Sequence, residues 1–393
     1  MEEAVIVSAV RTAIGRFGGV LSTVSAVELG STVTRAALER AGVAPEEVDE
    51  AILGCCGQFG EEAHVARLAS QRAGLPEHVP AYNVNRMCGS GLQAIINAAQ
   101  AIELGEADVV VAGGTECMSQ MPYSLPRARW GYRMGDATAI DTMLIVLGCP
   151  FNHYHMGITA ENVAHKYAVS REDQDAFAVE SQQKAGAAMQ AGRFAAQIVP
   201  VQAPQERGGP KQVDTDEHPR PETTIEGLQR LRPAFKPDGT VTAGNASGIN
   251  DGAAAVVVMS RAQARSRGLT PLAVVRQRAC AGVDPALMGM GPVPAVRKLL
   301  DRAALGLKDI DLIEMNEAFA APAVACGREL GIDWERTNVN GGAIALGHPI
   351  GATGAVLTVK LLYEMQARQV RRGLATLCIG GGQGIACLFE AVS

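Results

Sequence analysis

The chain repeats itself. Leu38-Glu39-Arg40-Ala41, followed by Val48-Asp49, recurs as Leu300-Asp301-Arg302-Ala303, followed by Ile310-Asp311, at a constant offset with no gap. The order continues downstream. Val84-Asn85 precedes a cysteine and a Gly-rich helix start, and Val339-Asn340 precedes a histidine and a second Gly-rich helix start. A strand then leads into Gly113-Gly114 in one copy and Gly380-Gly381-Gly382 in the other. Ala-rich helices often look alike by chance, but a fixed offset with matched order points to two similar halves.

The elements of each half are readable. Val5–Val10, Val109–Ala112, Ala254–Met259 and Thr376–Ile379 are short, nearly continuous apolar runs, as expected of strands covered on both faces. Ala26–Ala41, Gly91–Leu104 and Pro294–Ala304 read as helices between them. Alternation of this kind predicts an α/β chain. In the second half the Gly380 turn runs directly into a strand over Gly384–Glu390, whereas the matching strand of the first half is Ala253–Met259. Residues 119–249 are therefore expected to be an insertion, and they include the polar run Gln202–Thr224. The predicted division is 1–118 plus 250–268 for the first half, 119–249 for a loop domain and 269–393 for the second half.

Composition narrows the function classes. The chain has 393 residues, enough to bury a large core, with 47% hydrophobic and 19% charged residues, which argues against disorder. A net charge of −6 does not suit nucleic-acid binding. No apolar run is long enough for a membrane span, and the first residues lack the pattern of a signal peptide. Nine cysteines cannot all pair within one chain, and no C-x-x-C spacing occurs, so a disulfide framework, a zinc ribbon and a thioredoxin-type pair are disfavoured. Free thiols and a cytoplasmic location are expected.

Four segments carry chemistry. Asn85-Arg86-Met87-Cys88-Gly89-Ser90-Gly91 sets a cysteine before a helix, where the dipole is expected to lower its pKa. A free cysteine is more often a small buried side chain. The run from Asn340 to Gly354 places His348 among glycines, with Pro349 just inside a helix start, a position for access rather than packing. A phosphate cradle is the other reading, but neither a Walker lysine nor a spaced dinucleotide fingerprint is present. Leu377-Cys378-Ile379-Gly380 puts a cysteine at the carboxyl end of a strand, where α/β sheets bind ligands and turn N–H groups can hold an oxyanion. Asn316-Glu317 joins an apolar strand to a helix, and Asn there also serves as a helix cap.

Together these segments resemble the thiolase family, its short-chain biosynthetic branch in particular, over almost the whole chain. Ile6–Thr12, Gly113–Ser119, Met156–Asn162 and Thr242–Ser247 extend the likeness. The resemblance implies a thiolase-like fold: two repeated α/β halves forming a layered α-β-α-β-α core, with an inserted loop domain for coenzyme A binding and oligomerisation. It implies condensation of two acetyl-CoA to acetoacetyl-CoA plus CoA, and the reverse thiolysis, with no metal and no cofactor beyond the CoA substrates. Cys88 matches the acylated nucleophile, and His348 the residue that activates it and then binds the thioester oxygen. Cys378 matches the acid/base for the second acyl-CoA, and Asn316 the residue that holds a water in one oxyanion hole. The N–H groups of Cys88 and Gly380 match the other hole.

The implied CoA set is His155, Met156, Arg220, Leu231, Ala243, Ser247, Met288, Ala318 and Phe319. Met288 matches a cap on a short acyl pocket, and Arg220 a phosphate partner. Gly227 departs from the family, which often carries Ser there. His153 is expected at a surface or interface. A homotetramer is implied, with Arg127–Thr142 as its hairpin. The competing readings are a degradative 3-ketoacyl-CoA thiolase for longer chains, a non-catalytic thiolase-like CoA or lipid carrier, and a ketoacyl synthase. The last uses two histidines, and this chain offers a second cysteine in place of one.

Overall fold

The strand order shows the repeat directly. A computed structural model describes residues 2–205 and 209–392, so residues 206–208 of the polar run lie outside the described residues. The first half contains β1 (Ala4–Arg11), β2 (Glu50–Gly54), β3 (Ala81–Val84), β4 (Val109–Cys117) and β5 (Asn250–Ser260). The second contains β6 (Ala273–Gly282), β7 (Leu312–Met315), β8 (Arg372–Ile379) and β9 (Gln383–Glu390). The order β3-β2-β4-β5-β1 in the first is matched by β7-β8-β9-β6 in the second. A parallel bridge from Ile313 to Thr337 occupies the place corresponding to β3. Parallel pairing of β2 with β4 is repeated by β7 with β8, β2 also pairs β3 in parallel, and the other pairs of both halves are antiparallel. The halves meet edge to edge through Val5↔Val274 and Ile6↔Ala273.

Helices complete the layers. α1 (Ala26–Ala41) and α2 (Val65–Ala73) cover one face of the first half, while α6 (Pro292–Ala303) covers the second, with α7 (Ala320–Leu330) beside it. Between the halves lie α3 (Ser90–Leu104) and α8 (Ile350–Arg368), each touching strands of both. A helix with sheet on two sides must be apolar around most of its girth. Every residue of α8 from Ile350 to Leu362 is accordingly buried. Small residues let the two central helices approach: a Cβ on Gly91 would come within 2.9 Å of Gly351 O. Layering is thus α-β-α-β-α, and 44 Gly with 4% aromatic residues suit it.

Lys360 is buried in this middle layer and donates to Glu314 Oε2 at 2.8 Å and to Gly341 O at 2.7 Å. The segment between β4 and β5 carries α4 (Met156–Lys166) and α5 (Arg171–Gln190). It is fastened to β1 by Arg11, whose guanidinium grips Asp216 at 2.7 and 2.8 Å with both groups buried. Its hairpin pairs Tyr123–Ser124 with Ile140–Asp141 and leaves Trp130 and Met134 87% and 93% exposed in the single chain. No helix among the described residues is long and apolar enough to cross a membrane.

Two local expectations change. Pro349 caps α8 rather than lying inside it. Asn316 does not cap a helix, because α7 starts at Ala320 with Phe319 as its cap.

Candidate active site

Both central helices begin at one cavity. Cys88 lies just before α3 and His348 just before α8, so the repeat places them as counterparts. Cys378 reaches the same place from the end of β8, two residues before the turn at Gly380. The turn needs glycine, since Gly381 and Gly382 adopt φ of +85° and +84°. The cavity measures about 360 Å³, within the range of small-molecule sites, and its lining includes Cys88, His348, Cys378 and Gly380.

Cys88 lines the cavity and is half-buried, yet densely surrounded by protein. Burial pushes its thiol up to about 11, although the N–H groups of Gly380 and of Cys88 itself face the sulfur and pull the other way. The Glu116 carboxylate adds to the rise. The expected lowering by the helix end is therefore corrected: desolvation outweighs the dipole. A thiolate here has to be made by transfer to a base. Met87, directly before, has φ +47°, an uncommon value for a non-Gly residue, and its N–H donates to Asn85 Oδ1 at 3.1 Å.

His348 supplies a candidate base. It is buried rather than open, which corrects the expectation drawn from its glycine neighbours. Burial lowers its pKa to about 4, so the ring is neutral near pH 7. Its backbone N–H donates to Asn250 Oδ1 at 2.9 Å, and its Nε2 lies 3.4 Å from Asn316 Nδ2. Asn316 Oδ1 is buried with no protein partner, an orphan acceptor of the kind a bound water satisfies. Cys378 is buried as well. Desolvation first, and the Cys88 sulfur next, hold its thiol well above the ordinary range.

Nonreacting walls surround these groups. His155 caps α4 by accepting the Gly157 N–H at Nδ1, 3.0 Å, and stacks on Phe235 with centroids 4.7 Å apart. Phe235 meets Phe319 edge-on at 6.1 Å. Met156, Met288, Ala318, Ala243 and Ser247 also line the cavity. Arg220 and Leu231 are not brought into it. Arg220 is exposed with its N–H on Gln182 Oε1 at 2.7 Å, and Leu231 abuts Gly244, beside the lining Ala243. Gly227 sits in a short helix with its N–H on Thr224 Oγ1 at 3.2 Å. His153 is exposed, with φ +55°.

Sequence reasoning missed Met87, Met118, Ala234, Phe235 and Ile350 as lining residues. Met87, Met118 and Ile350 lay within quoted motifs that could have flagged them, whereas Ala234 and Phe235 did not. Among the described residues no cluster of His, Cys, Asp or Glu is suited to a metal ion.

The thiolase N-terminal domain matches residues 4–262 and the thiolase C-terminal domain matches residues 269–391. The chain belongs to the thiolase family of acyltransferases. It is 57% identical over 387 residues to the acetyl-CoA acetyltransferase of Thiocystis violacea, covering 98% of each chain. It matches the crystal structure of the Bacillus anthracis acetyl-CoA acetyltransferase with a TM-score of 0.98 at 49% identity, over 100% of this chain and 99% of that one. The human mitochondrial 3-ketoacyl-CoA thiolase in complex with CoA matches with a TM-score of 0.96 at 43% identity, over 100% and 98%. The family models meet between residues 262 and 269, in the connection from β5 to β6.

Proposed function

We propose that the chain is an acetyl-CoA C-acetyltransferase that joins two acetyl-CoA into acetoacetyl-CoA plus CoA, and runs the reverse thiolysis. One observation carries the reading: Cys88, His348 and Cys378 share one cavity, with the N–H groups of Cys88 and Gly380 facing the Cys88 sulfur. The name of the Thiocystis relative supports the acetyl substrate.

The residue types suit a ping-pong sequence. His348 takes the Cys88 proton as sulfur attacks the acetyl carbonyl, and the developing oxyanion meets the two N–H groups. The bond to CoA breaks, the proton leaves with the CoA sulfur, and acetyl-Cys88 remains. His348, neutral again, takes the Cys378 proton at Nε2, and the Cys378 thiolate removes an α-proton from a second acetyl-CoA. The enolate oxygen is held by His348 and by a water on Asn316. The enolate carbon attacks acetyl-Cys88, the proton on His348 passes to the departing Cys88 sulfur, and Cys378 keeps the α-proton as its thiol. A sulfur that carries acetyl cannot also take the proton, which accounts for the second cysteine.

The CoA thioesters are substrates in this reading, and no metal or further cofactor is required. His155, Met156, Ala243, Ser247, Met288, Ala318 and Phe319 contact the acyl and pantetheine parts, with Leu231 at the mouth and Arg220 at the phosphate end. The exposed hairpin with Trp130 and Met134 is offered as the contact that builds a homotetramer. A cytoplasmic setting keeps Cys88 and Cys378 reduced.

Steady-state thiolysis tests the substrate class. Acetoacetyl-CoA is expected to give a higher kcat/KM than a six- or eight-carbon 3-ketoacyl-CoA. A clear preference for the longer chain moves the assignment to a degradative thiolase. No turnover of either leaves a carrier.

A further inference from the structure

An imidazole serves as a base only through the nitrogen that lacks a proton, and a buried hydrogen bond decides which that is. His348 Nδ1 lies 2.6 Å from Thr353 Oγ1. The same hydroxyl donates to Pro349 O at 3.1 Å. A threonine hydroxyl has one proton and two lone pairs, while a carbonyl only accepts. Asn316 Nδ2, a donor only, faces His348 Nε2 at 3.4 Å, so Nε2 is the accepting nitrogen and the Thr353 proton goes to Pro349 O, one helical turn back. Its oxygen has only lone pairs left for His348, so Nδ1 carries the ring proton. Nε2 is left bare, and that is the nitrogen beside Asn316 Nδ2. Thr353 is 2% exposed and His348 7%, which leaves bulk water little access to compete for either.

We propose that Thr353 is a positioning residue of this acyl-transfer site: its hydroxyl holds His348 in the Nδ1–H form, so that Nε2 receives the Cys88 proton. The inference rests on the roles given above to Cys88 and His348. The proton balance is simple. The S–H bond of Cys88 breaks, an N–H bond forms at Nε2, and the Nδ1–H bond to Thr353 persists in the imidazolium. The proton then leaves Nε2 for the CoA sulfur as that sulfur departs. The partner's lack of charge matters. A carboxylate at this place would stabilise imidazolium and hold the proton, whereas a hydroxyl orients the ring and lets it stay a weak base that returns the proton. Thr353 also has a restricted χ1, because it is β-branched, which holds its oxygen in place.

The test compares Thr353→Val, which keeps the shape and removes the oxygen, with Thr353→Ser, which keeps the oxygen. Three readouts are taken on the full chain: kcat and KM for thiolysis, the pH profile of Cys88 alkylation by iodoacetamide, and the ¹⁵N shifts of His348, assigned by His348→Asn. The expectation for Thr353→Val is a loss of roughly tenfold or more in kcat, part of the 10²–10⁴ that general-base catalysis supplies, with KM little changed. Its alkylation profile moves toward higher pH, and Thr353→Ser restores both. The wild-type spectrum shows the proton on Nδ1. A folded Thr353→Val protein with wild-type kcat and alkylation profile overturns the proposal, and so does a wild-type ring protonated at Nε2. The spectrum decides the matter even if the valine variant does not fold. A wild-type protein that never acetylates Cys88 sinks the functional reading and this proposal together. One that does, with Thr353→Val unimpaired, sinks the proposal alone.

Discussion

Glu116 Oε2 accepts the backbone N–H of Gly351 at 2.8 Å, although the two residues belong to different halves of the molecule. The same carboxylate accepts from Cys56 N at 3.0 Å and from Gly57 N at 2.8 Å. It sits at the end of β4, so it ties a strand and a loop of the first half to the first turn of α8 in the second. His348 lies just before that turn. The half that carries Cys88 and the half that carries His348 are thus tied beside the cavity by a buried carboxylate. Burial raises the pKa of Glu116, and the three N–H groups oppose that rise.

Glu116→Gln should therefore lower both stability and rate. The amide has one acceptor oxygen, and its NH₂ faces backbone donors. Leaving such a group unpaired costs about 1–3 kcal/mol. The expected result is a lower Tm and a reduced kcat with KM less affected. Thermal unfolding and steady-state kinetics check it, and an unchanged Tm would show that the carboxylate is dispensable.

His348 makes stability fall in acid. Its folded pKa is about 4, below the unfolded value of about 6.5, so the neutral ring favours the fold. That contribution is complete above about pH 6.5 and is lost as pH falls through about 4, for a total of roughly 3 kcal/mol at most. Cys88 has the opposite sign. Its folded value of about 11 lies above that of a free thiol, so its contribution is present below about pH 8.5 and lost as pH rises through about 11. Denaturant unfolding across pH should show His348→Asn losing less stability than wild type between about pH 6.5 and 4. Parallel curves would contradict this account of the ring.

Breaking the tie between Arg11 and Asp216 should loosen the inserted segment. Asp216 also accepts the Ile14 N–H at 2.9 Å, and Arg11 is fully buried. Asp216→Ala leaves that cation without its carboxylate, a change expected to cost about 3–5 kcal/mol. A fall in denaturation midpoint, with early protease cleavage between β4 and β5, is the result to look for. A midpoint within error of wild type counts against it.

Much of this was legible in the chain itself, and the parts that were not share a cause. The two halves, α1 and the cysteine, histidine and cysteine of the cavity stand in local patterns: a fixed-offset repeat, Gly-flanked motifs and a strand end. Glu116 stood beyond the strand read over Val109–Ala112, in a segment noted only for its family likeness, and its partner Gly351 is remote in sequence. The same holds for Phe235, which reaches the cavity by stacking on His155. The pKa of Cys88 went the other way from the helix-end argument because burial is a tertiary quantity. His348 looked open among glycines, yet Gly347 packs against the Asn250 side chain, and Gly351 and Gly354 against the backbone of Cys55, Cys56 and Leu92.

Met288 is 3% exposed and lines the cavity with Met156 and Phe319. Met288→Ala removes volume from the wall proposed to limit the acyl chain. Thiolysis of a six-carbon 3-ketoacyl-CoA should gain relative to acetoacetyl-CoA, read as the ratio of the two kcat/KM values. An unchanged ratio places the limit elsewhere.

The central claim is that Cys88 carries the acetyl group. Intact mass after mixing with acetyl-CoA, followed by peptide mapping, addresses it directly. One added acetyl group on Cys88 is the predicted result, absent in Cys88→Ala and retained in Cys378→Ser, where the second step is blocked. Acetylation at another residue, or none, contradicts the account.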